Sequence, residues 1–137
     1  LGGSPTPAVG WASGVERLVL LLQKQASAIS TASAEVYVCC FGAAGERAGL
    51  AISEQAREAL AGRARVALAV GGGKPGAQLK RADAAGARVA LIVGDNEAAA
   101  GTVQVKFLRE DQPQTQVARP ELGDWLASLF PSPHRTT

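Results

Sequence analysis

Methionine is absent from these 137 residues, and histidine occurs once, at position 134. A lone imidazole in a tail of Ser, Pro, Arg and Thr has no fixed partner, so His134 is not expected to act as a general base. Cysteine occurs twice, side by side, as Cys39 and Cys40. Neighbours in a strand point to opposite faces, which disfavours a disulfide between them and favours two reduced core thiols. No Cys/His grouping has metal-ligand spacing, so no metal site is expected. Aromatic residues make up only 4% of the chain, and a core must therefore be built from Ala, Val and Leu. An apolar run such as Leu18 to Leu22 is far too short to cross a bilayer, so no membrane partner is expected. No basic lead precedes an apolar block at the amino end, so no secretory signal is read there and a cytoplasmic location is expected. The start at Leu1, without methionine, is expected of a piece of a longer protein. With 14 Lys and Arg against 12 Asp and Glu, no global field attracts nucleic acid, and any RNA site must be a local cluster.

What is present is an alternation. After the Gly- and Pro-rich Leu1 to Gly10, Ala8 to Ala12 reads as a short strand. From Ser13 a helix follows, with Val15, Leu18, Val19 and Leu22 at helical spacing and Leu20 and Leu21 widening its apolar face. Gln25 to Ala34 reads as a linker. Val36 to Phe41 is a continuous apolar strand ended by Gly42, and a helix is expected over Glu46 to Ala61, closed by Gly62. Val66 to Val70 is the second strand. The turn Gly71 to Pro75 follows, then a helix from about Gly76 to Gly86, and Val89 to Val93 as the third strand. Short connections between these elements predict parallel pairing through right-handed crossovers. Thr102 to Leu108 alternates apolar and polar residues, which predicts a half-exposed antiparallel strand, and Thr115 to Ala118 can return as an edge. A last helix from about Pro120 carries Leu122, Trp125, Leu126, Leu129 and Phe130 on one face. The fold class is therefore α/β, with a mixed five-stranded sheet of three parallel strands and an antiparallel hairpin, flanked by helices.

Sites on open parallel sheets form beyond the carboxyl ends of the strands. Three loops, Gly42 to Gly45, Gly71 to Gly76 and Gly94 to Glu97, are expected to converge there. Lys74, Lys80 and Arg81 bring cations, and Gln78, Asn96 and Glu97 bring hydrogen-bonding groups. Gln104 and Lys106 lie on the exposed side of the fourth strand, with Arg109 beyond it. Cations for phosphates and amides or a carboxylate for base edges suit single-stranded RNA. The same residues also fit ordinary wet loops. A Walker loop is absent, since no Gly-Lys-Ser/Thr follows the glycines. Gly71, Gly73 and Gly76 do satisfy the spacing of a dinucleotide fingerprint, after a strand and before a helix, so a nucleotide- or dinucleotide-binding domain stays open as the rival reading.

Two blocks of residues then resemble one family. Leu1-Gly2-Gly3-Ser4-Pro5 through Trp11 to Leu18 is similar to motif 3 of class II aminoacyl-tRNA synthetases in the histidyl form. Glu35 to Phe130 resembles the carboxy-terminal anticodon-binding domain of the same enzymes. That second likeness rests on Gly71-Gly72-Gly73, Gln78 to Asp83, Gly86 to Arg88, Gly94 to Glu97 and Val103 to Arg109. The resemblance implies that residues 1–25 are a catalytic-domain remnant, 26–34 a linker, 35–131 the anticodon-binding domain and 132–137 a flexible tail. It places Arg17 at the position that contacts ATP phosphates, where a guanidinium grips phosphate bidentately. ATP and magnesium belong to the parent enzyme, which attaches histidine to tRNA; motifs 1 and 2 are missing here, and the piece alone is expected to use no cofactor and to bind without catalysing. The implied partner is the anticodon loop of tRNA(His), with a homodimer through the Val15 to Leu22 face as a further expectation. Glu97 and Lys106 hold base-reading positions, with Gly72, Gly73, Lys74, Gln78, Arg81, Gln104 and Arg109 as the surrounding RNA-binding set. Pro75 and Gly76 depart from the family, which has an apolar and a basic residue there. A regulatory paralogue of the synthetase is compatible with the same residues.

Overall fold

A computed structural model describes residues 2–5, 7–24 and 33–131. The chain forms two compact units, Leu1–Ser30 and Thr31–Thr137. The first holds one helix, α1 (Val15–Lys24). Residues 8–12 form no strand. A strand needs a ladder partner, and among the described residues every strand lies between Val36 and Ala118. Residues 25–32 of the expected linker and the whole 132–137 tail, with His134, lie outside the described residues.

The second unit is a five-stranded sheet in the order β2-β1-β3-β4-β5. Its strands are β1 (Val36–Cys40), β2 (Val66–Leu68), β3 (Val89–Val93), β4 (Thr102–Phe107) and β5 (Thr115–Ala118). The first three run parallel, and β4 and β5 are antiparallel to their neighbours. Four helices accompany them: α2 (Gly42–Leu60), α3 (Pro75–Ala84), α4 (Asp95–Ala100) and α5 (Leu122–Leu129), the last entered through a 3₁₀ turn at Arg119–Glu121. The α/β class, the mixed sheet and the antiparallel hairpin are as the sequence predicts.

The two faces of the sheet are covered unequally. Val36, Val38, Val89, Leu91, Val93, Val103 and Val105 point to one side and bury Ile52, Ala56 and Leu60 of α2 and Leu122 and Leu126 of α5. Phe107 reaches Trp125 of α5 in a tilted ring contact, with centroids 6.1 Å apart. On the other side Tyr37, Cys39, Ala90 and Ile92 pack with Leu79 and Ala82 of α3 and with Ala87 and Leu108. Cys39 faces α3 and Cys40 packs against Gly49 of α2, so the adjacent thiols are buried on opposite faces and stay free.

Local differences from the sequence reading have plain causes. Helix α2 begins at Gly42 rather than Glu46, because a side chain from elsewhere caps it. Asp95 Oδ1 accepts from the Ala44 and Gly45 N–H groups at 2.8 and 3.1 Å, while Phe41 at the N-cap offers nothing. A Cβ on Gly42, whose φ is +75°, would collide with that carboxylate. At its other end the left-handed cap is Ala61, one residue before the expected Gly62. Strand β2 stops at Leu68, and the chain turns away through Ala69 and Val70. Helix α3 starts at Pro75, whose missing N–H costs nothing in a first turn.

Candidate nucleic-acid interface

Register decides which side chains share a surface. Gln104 of β4 lies opposite Ile92 of β3 and Gln116 of β5, and Lys106 lies opposite Ala90. Cross-strand partners point to the same face, so Gln104, Lys106 and Gln116 stand on the α3 side of the sheet. There α3 packs over β1 and leaves β4 and β5 uncovered. Lys106, Gln114 and Gln116 are exposed, and Gln104 and Thr102 are half-buried. The amides are held in a ladder: Gln116 Nε2 donates to Thr102 Oγ1 at 2.8 Å, and Gln114 Nε2 to Gln104 Oε1 at 3.4 Å. The result is a fixed row of donors and acceptors beside the Lys106 ammonium, which has no partner among the described residues. Gln114 and Gln116 escape the sequence reading, although pairing Thr115–Ala118 in register against β4 finds them.

The glycine turn sits at the carboxyl end of β2. Gly71, Gly72 and Gly73 all have positive φ, between +64° and +109°, which only glycine adopts without strain. Arg81 braces this turn from one side, donating to the Gly72 carbonyl at 2.8 Å. Lys74 caps α3 as its last non-helical residue and is exposed. Lys80 is exposed on the same helix.

Two residues of the expected set stand apart from this surface. Gln78 is fully buried. Its Oε1 accepts from the Cys40 N–H at 2.9 Å, and its Nε2 donates to the Cys40 carbonyl at 2.8 Å and to the Gly73 carbonyl at 3.3 Å. The cause is the early end of β2. Val36 and Val38 pair toward that side, so Cys40 presents its N–H and C=O where β2 has already left, and the carboxamide takes the place of the missing peptide group. Arg109 is displaced for a topological reason. Because β4 runs antiparallel, its end lies at the amino rim of the parallel strands. There Arg109 pairs with Asp83 at 2.9 Å and donates to the Asp83 carbonyl at 2.6 Å. Nine helical residues separate Asp83 from Lys74, about 14 Å.

Glu97 belongs to α4, a short helix where the sequence reading expects a loop; Ala98-Ala99-Ala100 before Gly101 is the signal for it. Its Oε2 accepts from the Gly94 N–H at 2.9 Å, and no described residue bonds Oε1. The three carboxyl-end loops do meet, through Asp95 on Ala44 and through Glu46, whose Oε1 lies 3.6 Å from where a Cβ on Gly72 would stand. Both contacts count against a nucleotide-binding reading. A carboxylate already fills the N-terminus of α2, and another stands beside the glycine turn, where a pyrophosphate would be repelled. Among the described residues no group of three His, Cys, Asp or Glu side chains could hold a metal, and no helix is long and apolar enough to cross a membrane.

Arg17 stands exposed on α1 in the first unit, bonded to no other described residue.

The anticodon binding domain family model matches residues 35–129. A histidine–tRNA ligase from Synechococcus sp. (strain JA-3-3Ab) is 50% identical over 115 residues, which is 84% of this chain and 27% of that protein. The crystal structure of a histidyl-tRNA synthetase from Nostoc sp. PCC 7120 superposes with a TM-score of 0.64 at 27% identity, covering 85% of this chain and 28% of that one. The RNA binding domain of a threonyl-tRNA synthetase from Cryptosporidium parvum Iowa II shares the fold, with a TM-score of 0.61 at 17% identity over 86% of this chain and 30% of that one. The chain thus spans little more than a quarter of the relatives it matches. Since the matched residues take in all five strands of the sheet, the chain belongs to the anticodon-binding domain family, in the form carried by histidyl-tRNA synthetases.

Proposed function

We propose that the second unit binds the anticodon loop of a tRNA, that of tRNA(His), and carries out no reaction on it. The observation that carries this reading is the uncovered sheet face, where Gln104, Gln114 and Gln116 form an amide row beside Lys106. Amides on a rigid sheet can address the edges of splayed bases, which have both donors and acceptors. Lys74, Lys80 and Lys106 supply phosphate contacts, and the turn at Gly72 and Gly73 lets a backbone approach closely. Glu97 Oε1 can accept from a base donor while Oε2 remains with Gly94. Arg81 acts by holding the turn in shape, and Gln78 by completing the sheet.

In the longer protein, this reading assigns the domain to an enzyme that attaches histidine to tRNA using ATP and magnesium, with Arg17 against the ATP phosphates. A cytoplasmic location suits its two free, buried thiols. The exposed apolar side chains of α1, from Val15 to Leu22, further support self-association as a homodimer; a mass that stays monomeric as concentration rises would exclude it. The RNA reading is tested by titrating hairpins with the histidine anticodon and with a scrambled one at several salt concentrations. Binding should favour the former and weaken steeply with salt, and Lys106→Ala should lower the salt slope by about 1. Salt-independent binding, or equal affinity for both hairpins, contradicts it.

A further inference from the structure

The amide row ends on a residue that the sheet does not hold. The ladder between β4 and β5 stops at the pair Val105 and Thr115, so Gln114 lies beyond it. Its Nε2 meets Gln104 Oε1 at 3.4 Å, near the outer limit of a hydrogen bond. Where Gln114 stands is therefore set by the connection that leads to it, residues 108–114, which contains neither helix nor strand. Such a segment moves unless something ties it down. Here side chains tie it at two points. Arg109 is held on α3 by Asp83. Glu110 is gripped on both oxygens: Oε1 accepts from Arg88 Nε at 2.5 Å, and Oε2 accepts from Gln112 Nε2 at 2.7 Å. Between Gln112 and Gln114 stands only Pro113, whose ring fixes φ.

Arg88 is a fixed post at the amino rim. Its N–H donates to the Glu35 carbonyl and its own carbonyl accepts from the Leu108 N–H, both at 2.8 Å, so its backbone is tied to the chain before β1 and to the chain after β4. Its Nη1 donates to the Leu129 carbonyl in the last turn of α5 at 2.9 Å, and its guanidinium lies over the Phe130 ring, 5.4 Å from the centroid. A planar guanidinium serves the carboxylate, the carbonyl and the ring at once, which an ammonium on a flexible stem does not.

We propose that Arg88 and Glu110 are positioning residues for the RNA surface, carrying the rigidity of the core through Gln112 and Pro113 to Gln114. Neither touches the RNA, and the proposal rests on the reading of the sheet face as the RNA surface. The two side chains are 38% and 29% exposed, so breaking the pair costs the fold little and separates positioning from folding.

The test is a double-mutant cycle in the whole chain: Glu110→Ala, Gln114→Ala and the two together, read by affinity for the hairpin with the histidine anticodon and by Tm. Glu110→Ala removes no buried apolar group and leaves Arg88 on Leu129 and Phe130. It should weaken hairpin binding by about two- to tenfold, the worth of one hydrogen bond, and should weaken it no further once residue 114 is alanine. Its small effect on Tm should be the same in both backgrounds. Glu110→Gln, which keeps an acceptor for Arg88, should stay within about twofold of the parent chain. Should Glu110→Ala fail to fold, Gln112→Ala, at an exposed position, cuts the same chain of contacts and carries the same expectations. An equal loss of affinity in both backgrounds overturns the proposal, because general loosening gives that result. Parent-like affinity of Glu110→Ala beside a weakened Gln114→Ala overturns it too, and leaves the sheet-face reading standing. If Gln114→Ala and Lys106→Ala both bind as the parent chain does, the sheet-face reading fails and this proposal falls with it.

Discussion

Replacing Gln78 by leucine separates a structural role from an RNA-binding one, because the two predict opposite outcomes. Leucine keeps most of the volume but provides no polar atom. The Cys40 N–H and C=O, bonded to the carboxamide at 2.9 and 2.8 Å, would then be buried without partners. Each orphaned backbone group costs about 1–3 kcal/mol. The longer bond to the Gly73 carbonyl is part-buried, and water can replace much of it. The expected loss is therefore about 2–6 kcal/mol, a large share of the roughly 5–15 kcal/mol that stabilises a typical domain. Urea unfolding followed by circular dichroism reads this directly. With a slope of about 2 kcal/mol per molar, the midpoint should fall by about 1–3 M. Where the variant is still folded, its affinity for the anticodon hairpin should match the parent chain. A variant within about 0.5 kcal/mol of the parent in stability but markedly weaker in RNA binding would refute the reasoning.

Two other perturbations follow from close contacts and buried chemistry. A methyl group on Gly45 would lie 2.7 Å from the Val93 carbonyl oxygen, so Gly45→Ala should destabilise by about 1–3 kcal/mol and lower the calorimetric Tm by several degrees; an unchanged Tm would mean that α2 and β3 are not so close. Burial pushes the Cys39 thiol up to about 11, so the folded state favours the neutral form, and the stability this confers is present below the unfolded thiol pKa near 8.5–9 and is lost as pH rises through 11. Stability measured between pH 8.5 and 10.5 should fall less steeply for Cys39→Ala than for the parent chain, and parallel slopes would exclude the effect.

Apolar runs are enough to locate the strands, because Val36–Cys40 and Val89–Val93 must be covered on both faces wherever they pack. The alternation in Thr102–Phe107 likewise yields both the half-exposed strand and the outward direction of Gln104 and Lys106. Gln78 misleads for a reason no local pattern contains. A polar residue on a polar helix reads as wet, and its burial depends on where β2 ends and on a backbone 38 residues away from it in the chain. The apolar run from Val66 to Val70 suggests one unbroken strand, whereas the glycines after it pull the chain off the edge. Arg109 is a different case: an antiparallel β4 already sends its end to the far rim, so its position is legible from the topology and the grouping with Lys74 overlooks it. Glu46 reads only as a wet helical residue, since its place beside Gly72 arises from the packing of α2 along the sheet edge.

The central claim is that the α3-side face of β4 and β5 is the RNA surface. It is tested most directly by titrating the histidine-anticodon hairpin into the isotope-labelled chain and mapping which backbone amides shift. The account predicts that shifts concentrate in Thr102–Lys106, Gln114–Gln116 and Gly72–Lys74. Shifts confined to the α2 and α5 side, with the amide row unmoved, would contradict it.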